Sequence, residues 1–177
     1  MEKNSVDLLQ AAVRDVPDFP QPGVVFKDIT PLLADPALMR SAMDVLAGYS
    51  NGRKIDKIVG IDARGFIFAA VVADHLKAGF VPIRKKGKLP WKTIGTSYDL
   101  EYGSSHMEMH IDAIAPGETV MLVDDVLATG GTAGAALELI ERAGGILVAA
   151  AFLIELGFLK GRERLPEGVR VESVLRY

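Results

Sequence analysis

The sequence predicts an α/β domain with a central, mainly parallel sheet flanked by helices, and three observations carry that prediction. Between residues 58 and 153, short apolar runs alternate with stretches of helical periodicity, the pattern left by right-handed strand–helix–strand crossovers. Residues 146–153 are apolar without interruption, as in a parallel strand covered on both faces. With 49% apolar and 24% charged residues, 177 residues suffice for one sizeable core, so the expectation is a single domain spanning 1–177.

The elements follow in order. Residues 5–13 read as a short helix with Ser5 as its N-cap. Pro17, Pro20 and Pro22 impose an extended, turn-rich stretch that leads to Gly23-Val24-Val25-Phe26. Asp35-Pro36 starts a helix, a capping side chain followed by proline at the first position. Leu38, Met39, Ala42, Met43, Val45 and Leu46 continue it at helical spacing. Residues 57–61 form a strand that Asp62-Ala63-Arg64-Gly65 turns into a helix, with Gly79 at its left-handed end. Residues 80–84 are the next strand. Residues 85–97 (KKGKLPWKTIGTS) are cationic, aperiodic and rich in Gly and Pro, as in functional lids or disordered segments. Strands are expected at 98–102 and 105–112, the second alternating buried Met107, Met109 and Ile111 with a wet face of Glu108, His110 and Asp112. A strand at 119–123, a helix at 133–142, the apolar strand and an edge strand at 169–174 complete the chain.

Composition excludes several classes of function. The net charge is -3 and no long basic run occurs, which argues against nucleic-acid binding. The chain has no cysteine, so disulfides, thiolate metal sites and cysteine nucleophiles are excluded. The start, MEKNSVDLLQ, is too polar for a signal peptide, and no apolar run reaches the length of a membrane span. A cytoplasmic location without membrane partners is the expectation. His106 and His110 would share a strand face but stand too far apart for one metal ion, since a strand advances roughly 3.3 Å per residue.

The chemistry concentrates in VMLVDDVLATGGT, residues 120–132. In such sheets, ligands sit beyond the carboxyl ends of strands. The loop through Ala128, Thr129, Gly130, Gly131 and Thr132 runs into a helix whose first N–H groups form an anion site aided by the dipole and two hydroxyls. Asp124 and Asp125 precede it. Carboxylates accept hydrogen bonds, so they suit vicinal sugar hydroxyls, and a ribose phosphate satisfies both halves. The G-x-x-x-x-G-K-[ST] and G-x-G-x-x-G patterns are both missing. A merely capped helix after a polar strand end is the plainer alternative, and it leaves the combination of acids, glycines and hydroxyls unexplained.

The same segment resembles the phosphoribosyl-pyrophosphate motif of type I phosphoribosyltransferases. FPQPGVVFKDITPLL, VGIDARGF, IRKKGKLPWKT, SYDLEYG and LIELGFLKGRERL extend the resemblance from about Val16 to the C-terminus and direct it to the branch acting on adenine. The resemblance implies the family fold, with a small hood and a flexible lid loop. It also implies a purine-salvage reaction of adenine with 5-phosphoribosyl 1-pyrophosphate that yields AMP and pyrophosphate. Mg2+ would be carried mainly by the phosphoribosyl pyrophosphate, with no side chain assigned as a direct metal ligand. Asp124 and Asp125 would bind the ribose hydroxyls and residues 128–132 the 5-phosphate. Arg64 would bind pyrophosphate in a loop that often holds a non-prolyl cis bond in this family; the alternative for Arg64 is a surface ion pair. Glu101 would be the acid–base residue at the purine, with Tyr102 beside it in the substrate site; a solvated strand glutamate is the alternative. Phe26 would stack on the base and the backbone near Lys27 would read it, against plain core packing for Phe26. Arg84 and Lys88 would reach a neighbouring subunit's pyrophosphate, implying a homodimer, whereas Lys88 also suits a solubilising loop tip. Trp91 stands where many relatives carry a small residue and has no assigned role.

Two further readings remain at this level. One is the same transfer to hypoxanthine, guanine or xanthine, which rates with each base distinguish. The other is a non-catalytic sensor of phosphoribosyl pyrophosphate, which would bind the ligand without forming AMP.

Overall fold

Asp35 caps the helix announced by the Asp-Pro pair, its Oδ1 accepting the N–H groups of Ala37 at 2.8 Å and Leu38 at 3.0 Å. This is helix α3 (Pro36–Gly48), and the boundary between two compact units, Met1–Val45 and Leu46–Tyr177, falls within it. The computed structural model describes residues 3–99 and 104–177. Among the described residues, no helix is long and apolar enough to cross a membrane.

The first unit holds α1 (Lys3–Ala12), β1 (Arg14–Pro17), β2 (Val25–Asp28) and α2 (Thr30–Ala34), followed by most of α3. Ser5 lies inside α1, which begins two residues earlier than its capping chemistry suggests. The proline-rich stretch contains an antiparallel pair, β1 with β2, that the prolines conceal. Its register places Asp15 opposite Lys27, and Lys27 Nζ donates to Asp15 Oδ1 at 2.6 Å, a cross-strand charge pair.

The second unit is built on a seven-stranded sheet of β3 (Lys57–Ile61), β4 (Gly79–Lys85), β5 (Thr93–Asp99), β6 (Ser104–His110), β7 (Thr119–Leu127), β8 (Ile146–Glu155) and β9 (Val171–Arg176). The spatial order is β5-β6-β4-β3-β7-β8-β9. β4, β3, β7, β8 and β9 run parallel, and β5 and β6 close one edge antiparallel. Helix α4 (Arg64–Leu76) connects β3 to β4 and α5 (Gly131–Arg142) connects β7 to β8. Val59 and Ile61 pack in one core with Ala136, Leu139 and Ile140 of α5. Gly60, between them, faces α4: a Cβ there would stand 2.6 Å from Ala69 Cβ. Neighbouring strand residues point to opposite faces, so α4 and α5 cover opposite sides of the sheet.

Four expectations need correction. Lys77, with φ of 57°, takes the left-handed end of α4, and Gly79 begins β4 instead, its α-carbon packed against the Lys57 side chain. The irregular segment is shorter than 85–97, because residues 93–97 belong to β5. Gly95 masked that strand, yet the pairing needs it, since the imidazole of His106 occupies the space a Cβ would take. Glu108 is buried rather than wet, with Oε2 accepting the Gly87 N–H at 3.1 Å, and Ile111 lies beyond the end of β6 and is exposed. Finally, β7 continues through Leu127, so Asp124 and Asp125 lie within the strand and the loop before α5 contains only residues 128–130.

Two glycines give opposite predictions. Gly60→Ala inserts a methyl into the β3–α4 contact and is expected to cost about 1–3 kcal/mol in urea unfolding. Gly134→Ala, in α5 with nothing within 4 Å of an added methyl, is expected to stabilise by about 0.5–1 kcal/mol. Equal effects at the two positions would refute the close β3–α4 approach.

Candidate active site

β3 and β7 are adjacent and parallel, but their crossovers leave toward opposite faces and opposite edges. The loops at their carboxyl ends therefore diverge and open a crevice, the place where open α/β sheets bind ligands. A pocket of about 390 Å³ occupies it, lined by Asp62, Ala63 and Arg64 after β3 and by Asp124, Asp125, Ala128 and Thr132 of the β7–α5 segment.

On the β7 side, Gly130 adopts φ of 86° and stands at the N-cap of α5, where no side chain caps the helix. Of the first-turn donors, Gly134 N–H reaches Gly130 O at 2.8 Å. The N–H groups ahead of it are the ones a helix start leaves without an intrahelical acceptor, and they suit an anion. A recess of about 60 Å³ lies against them, bounded by Val126, Ala128, Thr129, Gly130 and Thr132.

On the β3 side, the Asp62–Ala63 peptide is cis, as the family resemblance implies, and Ala63 starts α4 without a side-chain cap. Thus two helix N-termini bound one crevice. Arg64 Nε stands 2.7 Å from Asp125 Oδ2, at ion-pair distance but without the alignment of a hydrogen bond. Gly65 lets α4 approach β7: a Cβ there would meet the carboxylate of Asp124. Arg84 is engaged within its own chain, donating from Nε to Asp62 Oδ2 at 2.8 Å and from Nη1 to the Lys88 carbonyl at 3.2 Å.

Asp124 and Asp125 are only 7% and 5% exposed. Burial, then the neighbouring charge of Asp125, pushes the Asp124 carboxyl well above the usual carboxylate range, and Arg64 offsets part of this. Burial also raises Asp125, with Arg64 as the main opposing influence. The Asp125 N–H donates to Asp124 Oδ1 at 2.9 Å and fixes that side chain.

The structure therefore gathers Arg64, Asp124, Asp125, Ala128 and Thr132 in one pocket, with Thr129 and Gly130 in the adjoining recess and Gly131 opening α5. Arg84 and Lys88 line neither cavity, and the Lys88 carbonyl accepts from Arg84 Nη1. Phe26 and Lys27 belong to β2 in the first unit, where Phe26 meets Phe19 edge-on at 5.2 Å. Glu101 and Tyr102 lie outside the described residues. Trp91 is 62% exposed, and His106 pairs through Nδ1 with Ser97 Oγ at 2.9 Å. Sequence reasoning missed Asp62 as the anchor of Arg84 and Gly65 as the space for Asp124. Their proximity in the Asp62-Ala63-Arg64-Gly65 turn was the available signal.

The raised carboxyls fix a sign. Ionising them opposes folding, so the penalty is absent below the unfolded-state value and complete above the folded one. Asp124→Asn retains an acceptor for the Asp125 N–H and removes the charge. It is expected to raise Tm at about pH 7 and leave it unchanged at about pH 3, below the ordinary aspartate value. A lower Tm at neutral pH in thermal denaturation would reverse the electrostatic assignment.

Known proteins resemble this one along almost the whole chain. The model of the phosphoribosyl transferase domain matches residues 28–168. An adenine phosphoribosyltransferase of Thermobifida fusca is 61% identical over 160 residues, 90% of this chain and 91% of that protein. The crystal structure of adenine phosphoribosyltransferase from Rhodothermus marinus superimposes with a TM-score of 0.94 at 55% identity, covering 98% of this chain and 99% of that one. The Saccharomyces cerevisiae enzyme, complexed with D-2,5-dideoxy-2,5-imino-altritol 1,6-bisphosphate and adenine, gives a TM-score of 0.91 at 39% identity over 97% of this chain and 98% of that one. With its divergent β3 and β7 loops and its buried acid pair, the chain belongs to the phosphoribosyltransferase family and, within it, to the adenine phosphoribosyltransferases.

Proposed function

We propose that the protein, acting as one phosphoribosyltransferase domain over residues 1–177, transfers the 5-phosphoribosyl group of 5-phospho-α-D-ribose 1-diphosphate to adenine. The products are AMP and pyrophosphate, a purine-salvage reaction. One observation carries the reading: a buried carboxylate pair lies between two uncapped helix N-termini. That order, anion site, diol acceptor, anion site, matches a sugar that carries a phosphate at one end and a pyrophosphate at the other. The yeast relative, crystallised with adenine and an imino-sugar bisphosphate, supports the same pairing of ligands.

In this reading the first turn of α5, with Thr129 and Thr132, holds the 5-phosphate, and Asp124 and Asp125 accept the ribose hydroxyls. Positive charge develops on the ribosyl ring as the bond to pyrophosphate breaks. The acid pair stabilises it electrostatically, while Arg64 and the N-terminus of α4 stabilise the departing anion. Among the described residues no three His, Asp or Glu side chains gather as a metal cage. The donor set, the two carboxylates of Asp124 and Asp125, suits Mg2+ delivered on the pyrophosphate, since that ion commonly takes one or two carboxylates with phosphate oxygens and water. Held by these residues, it would supply charge neutralisation at the leaving group. Glu101 exchanges a proton with the purine, Tyr102 and Phe26 contact the base, and the backbone at Lys27 reads it. Lys88 and Arg84 contribute cationic groups toward the pyrophosphate of a neighbouring subunit.

A homodimer accompanies this reading. On α4, Ile67 and Val71 are 38% and 39% exposed one turn apart, and Phe80, 38% exposed, meets Phe66 edge-on at 5.4 Å. Such an apolar strip suits a second copy of the chain. Size-exclusion chromatography with light scattering is expected to give the mass of two chains, and Val71→Glu the mass of one. A monomeric parent protein overturns the dimer.

Incubation with phosphoribosyl pyrophosphate, Mg2+ and adenine is expected to release AMP and pyrophosphate, with far slower release when hypoxanthine or guanine replaces adenine. No AMP, or faster turnover of hypoxanthine, refutes the assignment. In the same assay Glu101→Ala is expected to lower kcat by about 10²–10⁴-fold with little change in KM. An unchanged kcat removes Glu101 from the chemistry.

A further inference from the structure

The late motif LIELGFLKGRERL has no part in the reaction as described, yet its residues meet the phosphate loop from behind. After β8, the chain forms two 3-10 turns, Gly157–Leu159 and Gly161–Arg164. Gly161 and Gly130 face each other with no room for a methyl group. A Cβ on Gly130 would meet the Gly161 carbonyl, and one on Gly161 would meet the Ala128 carbonyl and stand 2.9 Å from the Gly130 nitrogen. Gly161 is buried. The 128–130 loop, without a side-chain cap of its own, therefore rests on the backbone of this turn.

The turn in turn depends on one side chain. Arg162 donates from Nε to Glu155 Oε1 at 3.0 Å, from Nη2 to Glu155 Oε2 at 2.6 Å and from Nη1 to the Val171 carbonyl at 2.6 Å. The two-pronged bond to a carboxylate fixes orientation as well as distance. Glu155 is itself held by Ser173 Oγ at 2.6 Å and by Arg176 Nε at 3.2 Å. It ends β8 opposite Leu127, the residue before the phosphate loop, and the next N–H, of Leu156, donates to the Leu127 carbonyl at 2.9 Å. The Glu155 carboxylate thus ties the end of β8 to β9 and to the Gly161 turn, and the Leu156 N–H joins this corner to the end of β7.

We propose that Arg162 is a positioning residue for the 5-phosphate: locked on Glu155, it holds the Gly161 backbone against residues 128–130 and so aims the first N–H groups of α5. This rests on the reading of that loop as the 5-phosphate site. Removing Arg162 leaves Glu155 Oε2 paired with Ser173 and Arg176 and takes from Oε1 the Arg162 Nε bond, so the loss falls on the turn and on that one oxygen.

The test uses the full-length protein and two probes, ribose 5-phosphate and inorganic pyrophosphate, whose Kd values are measured by titration calorimetry. Arg162→Ala and Gly161→Ala are expected to weaken ribose 5-phosphate by about tenfold or more while pyrophosphate stays within about twofold. Arg162→Lys, which keeps the charge but loses the planar fork, is expected to fall between parent and Arg162→Ala. Unchanged affinity for ribose 5-phosphate in the Arg162 variants, or a parallel loss of both ligands, overturns the proposal and leaves the 5-phosphate site itself standing. A parent protein that binds pyrophosphate but not ribose 5-phosphate overturns the loop assignment, and the positioning role with it.

Discussion

Two carboxylates side by side, each less than a tenth exposed, are the constraint around which this molecule is arranged. Buried like charges oppose folding unless something compensates, and the compensation here is positional. The crossovers from β3 and β7 run to opposite faces, so both following helices present their N-termini to the crevice that contains Asp124 and Asp125. Each terminus contributes partial positive charge, and Arg64 adds a full one at 2.7 Å. In the proposed function, the same features that make the acid pair tolerable without ligand receive the anionic ends of a sugar phosphate. Binding and folding therefore draw on one electrostatic arrangement.

Convergence of so many backbones on one corner requires missing side chains at the contacts. Gly65 leaves space for the Asp124 carboxylate, and the facing pair Gly130 and Gly161 lets the 3-10 turn touch the 128–130 loop. Packing at these points is as specific as in the apolar core, because any added atom displaces a charged group or a loop that must hold its shape. The Glu155–Arg162 fork belongs to the same set of fixed parts. Arg162 holds the Glu155 carboxyl down at about 2, with desolvation opposing and Ser173 assisting.

Most of the sheet was legible because parallel strands buried on both faces leave long apolar runs, as in β8, and because Asp35-Pro36 is a local capping signal. The loop at 128–130 was legible as the entry to a helix because its glycines and hydroxyls are contiguous. What escaped was set by partners distant in sequence. The pairing of β1 with β2 sets Asp15 opposite Lys27, a match across 12 residues that a run of prolines hides. β5 was obscured by Gly95, whose purpose is to accommodate His106 from the next strand. Glu108 read as wet from alternation, yet it is buried to accept the Gly87 N–H. The role of Arg84 was drawn from resemblance alone, and its bond to Asp62 bridges 22 residues that no local pattern connects.

The two ends of the β3–β7 pair show how stability and binding are separated along a single ladder. At the amino ends Asp56 bridges the strands: its Oδ2 accepts the Thr119 N–H at 2.9 Å and the Thr119 hydroxyl at 2.8 Å, and its own N–H donates to the Thr119 carbonyl at 2.9 Å. Lys54, the largest influence, together with these Thr119 bonds holds its carboxyl well below the usual range. Here protein groups satisfy one another and the strands are pinned. At the carboxyl ends, the polar groups face a pocket, and the acids there sit above the usual range because burial outweighs what Arg64 returns. A carboxylate that is satisfied by its neighbours stabilises the fold, whereas one left partly uncompensated gives the ligand something to complete. Pinning one end is what allows the other to remain incomplete without the strands parting.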